Sequence, residues 1–291
     1  MALLSPEFMA RLDTLQVGMR KVLAGRFRGE KRSRRRGRSI EFADHREYAY
    51  GDDIRFLDWH LFARLDRLFL KLYHDEEELR VHLIIDGSRS MAFGDPTKFH
   101  QARRVAAAIG YVALASQNRV KLVVLTPTGI SELPWQRGAR SAGRMFDFLL
   151  AAEPLGKNTL LPGLRRFMAE GRPSGVLILL SDLLDRGGPV AALKPLVRPM
   201  VDVSLIQVLT PEEVEPELVG DFRLLDSEEG DAVDVAGTTG VLAAYQRNLK
   251  AYLKEIQDFS RTRGLGYLLT RTDTSFEDLV LTHLREKGIL R

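Results

Sequence analysis

From residue 80 onward the chain alternates short apolar runs with stretches of helical periodicity, and this alternation limits its fold more than any other feature. Val81 to Ile85, Val120 to Leu125, Val176 to Leu180 and Val203 to Leu209 are strand-length runs rich in Val, Ile and Leu. Such runs mark strands covered on both faces. Thr97 to Gln117 carries Phe99, Ala102, Val105, Ala106, Ile109, Val112 and Ala113 at helical spacing. Further helices are predicted over Phe146 to Ala151, Leu161 to Met168, Pro189 to Val197, Val241 to Arg261 and Phe276 to Glu286. Ile130 to Trp135 suits an edge strand, residues 222 to 235 a hairpin, and Tyr267 to Leu269 a last strand. The order predicts an α/β fold, a doubly wound and mostly parallel sheet with helices on both faces.

This domain is expected over 80–291, with a smaller N-terminal region over 1–79 that packs against it. Residues 5 to 25 place Phe8, Leu12, Leu15, Met19, Val22 and Leu23 on one helical face. A basic loop follows. Ile40 to about Asp75 mixes aromatic and charged residues and predicts short strands with one short helix.

Composition narrows the chemistry. The chain has no cysteine, which excludes disulfides, thiolate metal sites and cysteine nucleophiles. No apolar run is long enough to span a bilayer, and the first residues lack the pattern of a signal peptide, so a cytoplasmic location is expected. The six histidines show no H-E-x-x-H spacing, and no G-x-x-x-x-G-K-[ST] phosphate loop is present. Of the net charge of +4, the segment Arg26 to Ser39 alone carries +7, so the rest of the chain carries −3. The basic character belongs to one segment rather than to the fold.

In doubly wound sheets, ligands bind beyond the carboxyl ends of the strands. After the first apolar run stands Asp86-Gly87-Ser88-Arg89-Ser90, and after Val176 to Leu180 stands Ser181-Asp182. Between them, before a helix, stands Gly156-Lys157-Asn158-Thr159. Taken singly, each has an ordinary use: Asp86-x-Ser88 as an Asx-turn or helix cap, Thr159 as an N-cap, Asp182 as a loop acid. Taken together, they offer two carboxylates and several hydroxyls at one edge of a sheet. Hard oxygen donors of low total charge suit Mg²⁺, or Mn²⁺ or Ca²⁺.

The D-x-S-x-S pattern, the later Thr and the later Asp resemble the metal-ion-dependent adhesion site of von Willebrand factor A domains. That resemblance implies that Asp86, Ser88, Ser90, Thr159 and Asp182 hold a metal, and that a partner's acidic side chain completes its coordination. Upstream lies a string containing Glu41, Phe42, Asp44, Arg46, Tyr48, Gly51-Asp52-Asp53, Arg55, Asp58-Trp59 and Ala63-Arg64. It is similar to the signature of the bacterial family known as domain of unknown function fifty-eight, in which such a string precedes an A-type domain. The resemblance implies a non-enzymatic adaptor or co-chaperone partner of a MoxR-type AAA+ ATPase. Many relatives carry membrane segments, and none is expected in this chain.

The string has two readings, a structural network and a docking surface. In the first, Arg46, Arg55 and Arg64 pair with Asp44, Asp52, Asp53 and Asp58, and Trp59 packs beneath. In the second, Arg46, Arg55 and Arg64, with Arg32, Arg34, Arg35 and Arg36 of the basic loop, contact a partner.

Three other functions are weighed. A metal-dependent phosphatase-like hydrolase on such a sheet needs a second acid two residues after the first, and Ser88 stands there. A serine hydrolase needs G-x-S-x-G, which is absent around Ser88. Binding of nucleic acid or another acidic surface through Lys31 to Arg38 has the charge for phosphates. Against nucleic acid, the cluster has no interleaved aromatics and the rest of the chain is net acidic.

Overall fold

A computed structural model describes residues 3–19, 42–73, 78–126, 129–155, 160–171, 173–185, 187–216, 220–225, 232–237 and 239–291. The basic loop, including Arg32, Arg34, Arg35 and Arg36, and also Thr159, lie outside these residues. The chain forms two compact units, Met1–Leu23 with Leu79–Arg291, and Ala24–Glu78.

In the larger unit, α1 (Pro6–Leu12) starts on the Ser5 cap, whose hydroxyl accepts from the Phe8 amide. It buries Phe8 and Leu12 in the same core as the sheet. The N-terminal helix therefore belongs to this unit, not with the residues up to 79 among which the sequence grouped it. It is also shorter than its apolar spacing predicts. Beyond Leu12 the chain extends, and Val17 bridges antiparallel to Leu290.

The smaller unit pairs β1 (Phe42–Glu47) antiparallel with β2 (Phe69–Tyr73). Between them lie a short turn of helix over Ile54–Phe56 and α2 (Trp59–Leu65). These are the short strands and single short helix expected there.

A six-stranded sheet organises the larger unit. Its strands are β3 (Arg80–Ile85), β4 (Arg119–Thr126), β5 (Gly129–Arg137), β6 (Gly175–Ser181), β7 (Val201–Leu209) and β10 (Gly266–Arg271). The order across the sheet is β10-β7-β6-β3-β4-β5, all parallel except β5. Pro134 is tolerated because β5 is an edge strand and the register shifts there, opposite the stretch between Val120 and Leu122. β8 (Gly220–Leu225) and β9 (Ala232–Gly237) form the expected hairpin.

Alternate residues of each strand face opposite layers. Val81, Leu83 and Ile85 pack with α3 (Lys98–Ala115) and α4 (Ala142–Ala151). Ile84, Leu177 and Leu179 pack on the other face with α5 (Leu160–Gly171), α6 (Pro189–Leu193) and Ile256 of α8 (Thr239–Arg263). Between β7 and α8 comes the four-residue α7 (Pro211–Val214). The chain ends in a helical stretch, Phe276–Asp278, Leu279–His283 and Leu284–Glu286, that closes the first face.

Candidate functional site

Numbered by their own order, the six strands run 6-5-4-1-2-3 across the sheet. The order reverses between the first, β3, and the fourth, β6, and a crevice opens beyond the carboxyl ends of strands at such a point. Asp86 follows β3 and Asp182 follows β6, so topology brings both acids to this crevice.

Asp86 is 2 % exposed. Its amide donates to the Leu180 carbonyl (2.9 Å), which carries the sheet one residue past β3. Oδ1 accepts from the Ser88 amide (2.9 Å) and Oδ2 from the Ser181 hydroxyl (2.7 Å). Gly87 has the loop lying on the end of β4, and a Cβ there would stand 2.1 Å from the Leu125 carbonyl oxygen. Ser88 and Ser90 then turn their hydroxyls toward each other, 3.0 Å apart. The two hydroxyls thus face one point, as their alternate spacing predicted, and with the Asp86 carboxylate two residues before they give an oxygen-lined cradle. The Asx-turn made by Asp86 and Ser88 is present within it, so the structural and the ligand readings of the motif are compatible.

Asp182 is held differently. Its Oδ2 accepts from the Lys98 ammonium (2.7 Å) and its Oδ1 from the Leu184 amide (3.1 Å). Lys98 also donates to Glu213 Oε1 (2.5 Å). Lys98 is fully buried, yet its pKa is raised: burial opposes the charge, and Asp182 and Glu213 together outweigh it. Glu213 is fixed by a capping box in which the Thr210 hydroxyl accepts from the Glu213 amide and Glu213 accepts from the Thr210 amide. Leu183, next to Asp182, has a φ of 57°, a left-handed conformation that is strained for leucine. Tyr252 of α8 donates to its carbonyl (2.6 Å) and so holds the turn.

Lys98 and Glu213 were missed by the sequence reading, and Ser181 entered it only as the neighbour of Asp182. Lys98 had a signal: with Ala102, Val105, Ile109 and Val112 it heads the buried stripe of α3 at spacings of four, three, four and three. Glu213 had none, because its partner is 115 residues away.

The donors are carboxylates and hydroxyls, which fit a hard divalent cation. Among the described residues no three His, Cys, Asp or Glu side chains are grouped to hold a metal. Such a site would have to rely on hydroxyls. His82 is buried, with Nε2 near the Ser174 carbonyl and its ring against Trp135 and Phe167, as a sheet-face residue should be. The groove of about 1240 Å³ beside α8 and β10 is lined by Lys250, Leu253, Lys254 and Tyr267, among others, and by none of the site residues.

The charged string proves mostly local. Arg46 pairs with Asp52 (2.8 Å), and Arg55 grips Asp53 through two nitrogens. The Arg55 bond holds the Asp53 carboxyl down at about 2. Asp58 caps α2 and takes His45 (2.9 Å) and Lys71 (3.5 Å), and no arginine among the described residues. Arg64 is exposed on α2. Trp59 does not pack beneath this network: it is 61 % exposed and meets the edge of Phe62.

Fold and site define a doubly wound α/β protein with an oxygen-lined cradle at its switch point. The chain belongs to the family described as "Protein of unknown function DUF58", which it matches over residues 44–254. It is 26 % identical over 275 residues to the uncharacterized protein Rv1480 of Mycobacterium tuberculosis, covering 92 % of this chain and 86 % of that one. Among solved structures it is similar to the conserved hypothetical protein BatB from Bacteroides thetaiotaomicron (16 % identity, TM-score 0.42, 72 % of this chain and 98 % of the other). It is also similar to proximal thread matrix protein 1 from the mussel byssus with a zinc-occupied MIDAS motif (13 % identity, TM-score 0.41, 73 % and 47 %). No helix among the described residues is long and apolar enough to cross a membrane.

Proposed function

We propose that this chain is a metal-dependent protein-interaction module, not an enzyme, and that its partner is a MoxR-type AAA+ ATPase. The observation that carries the reading is the Asp86–Ser88–Ser90 cradle at the switch point. Asp86, Ser88, Ser90, Thr159 and Asp182 would hold the cation, with Mg²⁺, Mn²⁺ or Ca²⁺ each suited to such donors. A bound cation would supply a Lewis-acidic position for a partner's carboxylate. The two serines suit ligation better than catalysis: each hydroxyl faces the other, and no histidine is bonded to either among the described residues.

Binding of a purified MoxR-type ATPase, measured with Mg²⁺ and with EDTA, tests this. Wild type should bind with metal only. Asp86→Ala should keep its circular dichroism and lose binding by at least about tenfold, the scale of one charge-assisted contact. Equal binding by Asp86→Ala and wild type would overturn the reading.

A further inference from the structure

The buried lysine bonded to Asp182 has no part in the function just described. Lys98 offers three N–H donors and no acceptor. Two of them are spent on Asp182 (2.7 Å) and Glu213 (2.5 Å), and the side chain has no exposure to water. The Phe93 ring stands 5.9 Å from the ammonium. Asp182 is thus shared: one carboxylate faces a fixed internal cation and stands at the crevice where a divalent cation would enter.

We propose that Lys98 and Glu213 set the affinity of this site for its cation, Lys98 by competing for Asp182 and Glu213 by drawing the ammonium away from it. This rests on the metal reading above. Asp86, Asp182, Glu213 and Lys98 together carry a formal charge of −2, the complement of one divalent ion. Loss of the Glu213 charge leaves Lys98 wholly on Asp182 and lowers that total to −1. Loss of the Lys98 charge frees Asp182. Glu213 therefore acts on the site without being a donor to it.

Packing ties Glu213 to the same loop as the cradle. The Thr210 capping box fixes Glu213, and Thr210 is buried against Gly94, four residues after Ser90. A Cβ at Gly94 would lie 2.6 Å from the Thr210 methyl group. Tyr245 of α8 donates to the Glu213 carbonyl (2.5 Å), so the turn is also held by that helix. Whatever displaces this turn changes cation affinity, and cation binding in return stabilises the turn, because coupling between sites is reciprocal.

The test is calorimetric titration of the full chain with Mn²⁺. Four proteins are compared: wild type, Asp86→Ala, Glu213→Gln, and Lys98→Met combined with Glu213→Gln. Glutamine preserves size and can serve in a capping box, so Glu213→Gln should fold, and thermal melting checks that it does. Wild type binds and Asp86→Ala does not. Glu213→Gln binds about tenfold more weakly, within the usual range of coupling between sites, and the double variant regains at least the wild-type affinity. If wild type binds through Asp86 but Glu213→Gln matches it, the proposal fails and the metal reading stands. If Glu213→Gln is weak and the double variant stays weak, the ammonium is not the cause and the proposal fails. If wild type takes up no Mn²⁺, or Asp86→Ala takes it up equally, both readings fail together.

Discussion

His82 sets the clearest condition on stability at the level of a single residue. Burial between Trp135 and Phe167 lowers its pKa to about 4, from an ordinary 6.5. The unfolded chain takes a proton below pH 6.5, whereas the folded chain resists until about pH 4. Stability from this group is therefore complete above pH 6.5 and falls as pH drops toward 4. The loss levels off there at about 3 kcal/mol. Chemical denaturation at pH 7 and pH 4.5 should show this loss in wild type and a smaller one in His82→Leu. Identical pH dependence in both proteins would remove His82 as the cause. At the candidate site, the approach of Ser88 to Ser90 was legible because alternate residues of a tight turn face one point. Lys98 and Glu213 were not, because their pairing depends on two elements meeting.

At the scale of elements, each long apolar run became a strand and each long periodic stretch a helix, since burial on two faces or on one stripe leaves that pattern in sequence. The N-terminal segment departs from it. Leu15, Met19, Val22 and Leu23 continue a helical spacing, yet the helix stops at Leu12, and Gln16 and Gly18 bond to Arg291 and Ile289 instead. Apolar spacing records burial, and an extended segment lying along Ile289 to Arg291 lets Leu15 and Met19 meet the core without a helix, whereas Val22 and Leu23 lie outside the described residues. Because Leu12 is fully buried in the main core, Leu12→Ala should destabilise the larger unit by about 2–5 kcal/mol. A denaturant midpoint unchanged from wild type would show instead that α1 is peripheral to that unit. Edge position decided the fate of Pro134 in the same way. Its missing N–H breaks a central strand but not β5.

For the whole molecule, the cation site proposed at the switch point predicts a stability that depends on cations. Mg²⁺ at about a hundred times its dissociation constant should add about 2.7 kcal/mol. Thermal melts of wild type should rise with Mg²⁺ and fall back with EDTA, and those of Asp86→Ala should respond to neither. A wild-type melting temperature indifferent to Mg²⁺ would count against a resident cation. The fold class, the strand and helix order, and the position of the D-x-S-x-S loop after a buried strand were determined by sequence alone. Each depends on local periodicity and on the rule that strands deliver ligand-binding loops at their carboxyl ends. Tertiary structure alone decided that β6 lies beside β3, that the first helix joins the main core, and that Asp182 is held by a lysine from one helix and a glutamate from another turn. Contacts between residues about a hundred positions apart leave no period in the chain, because they are set by which strands become neighbours.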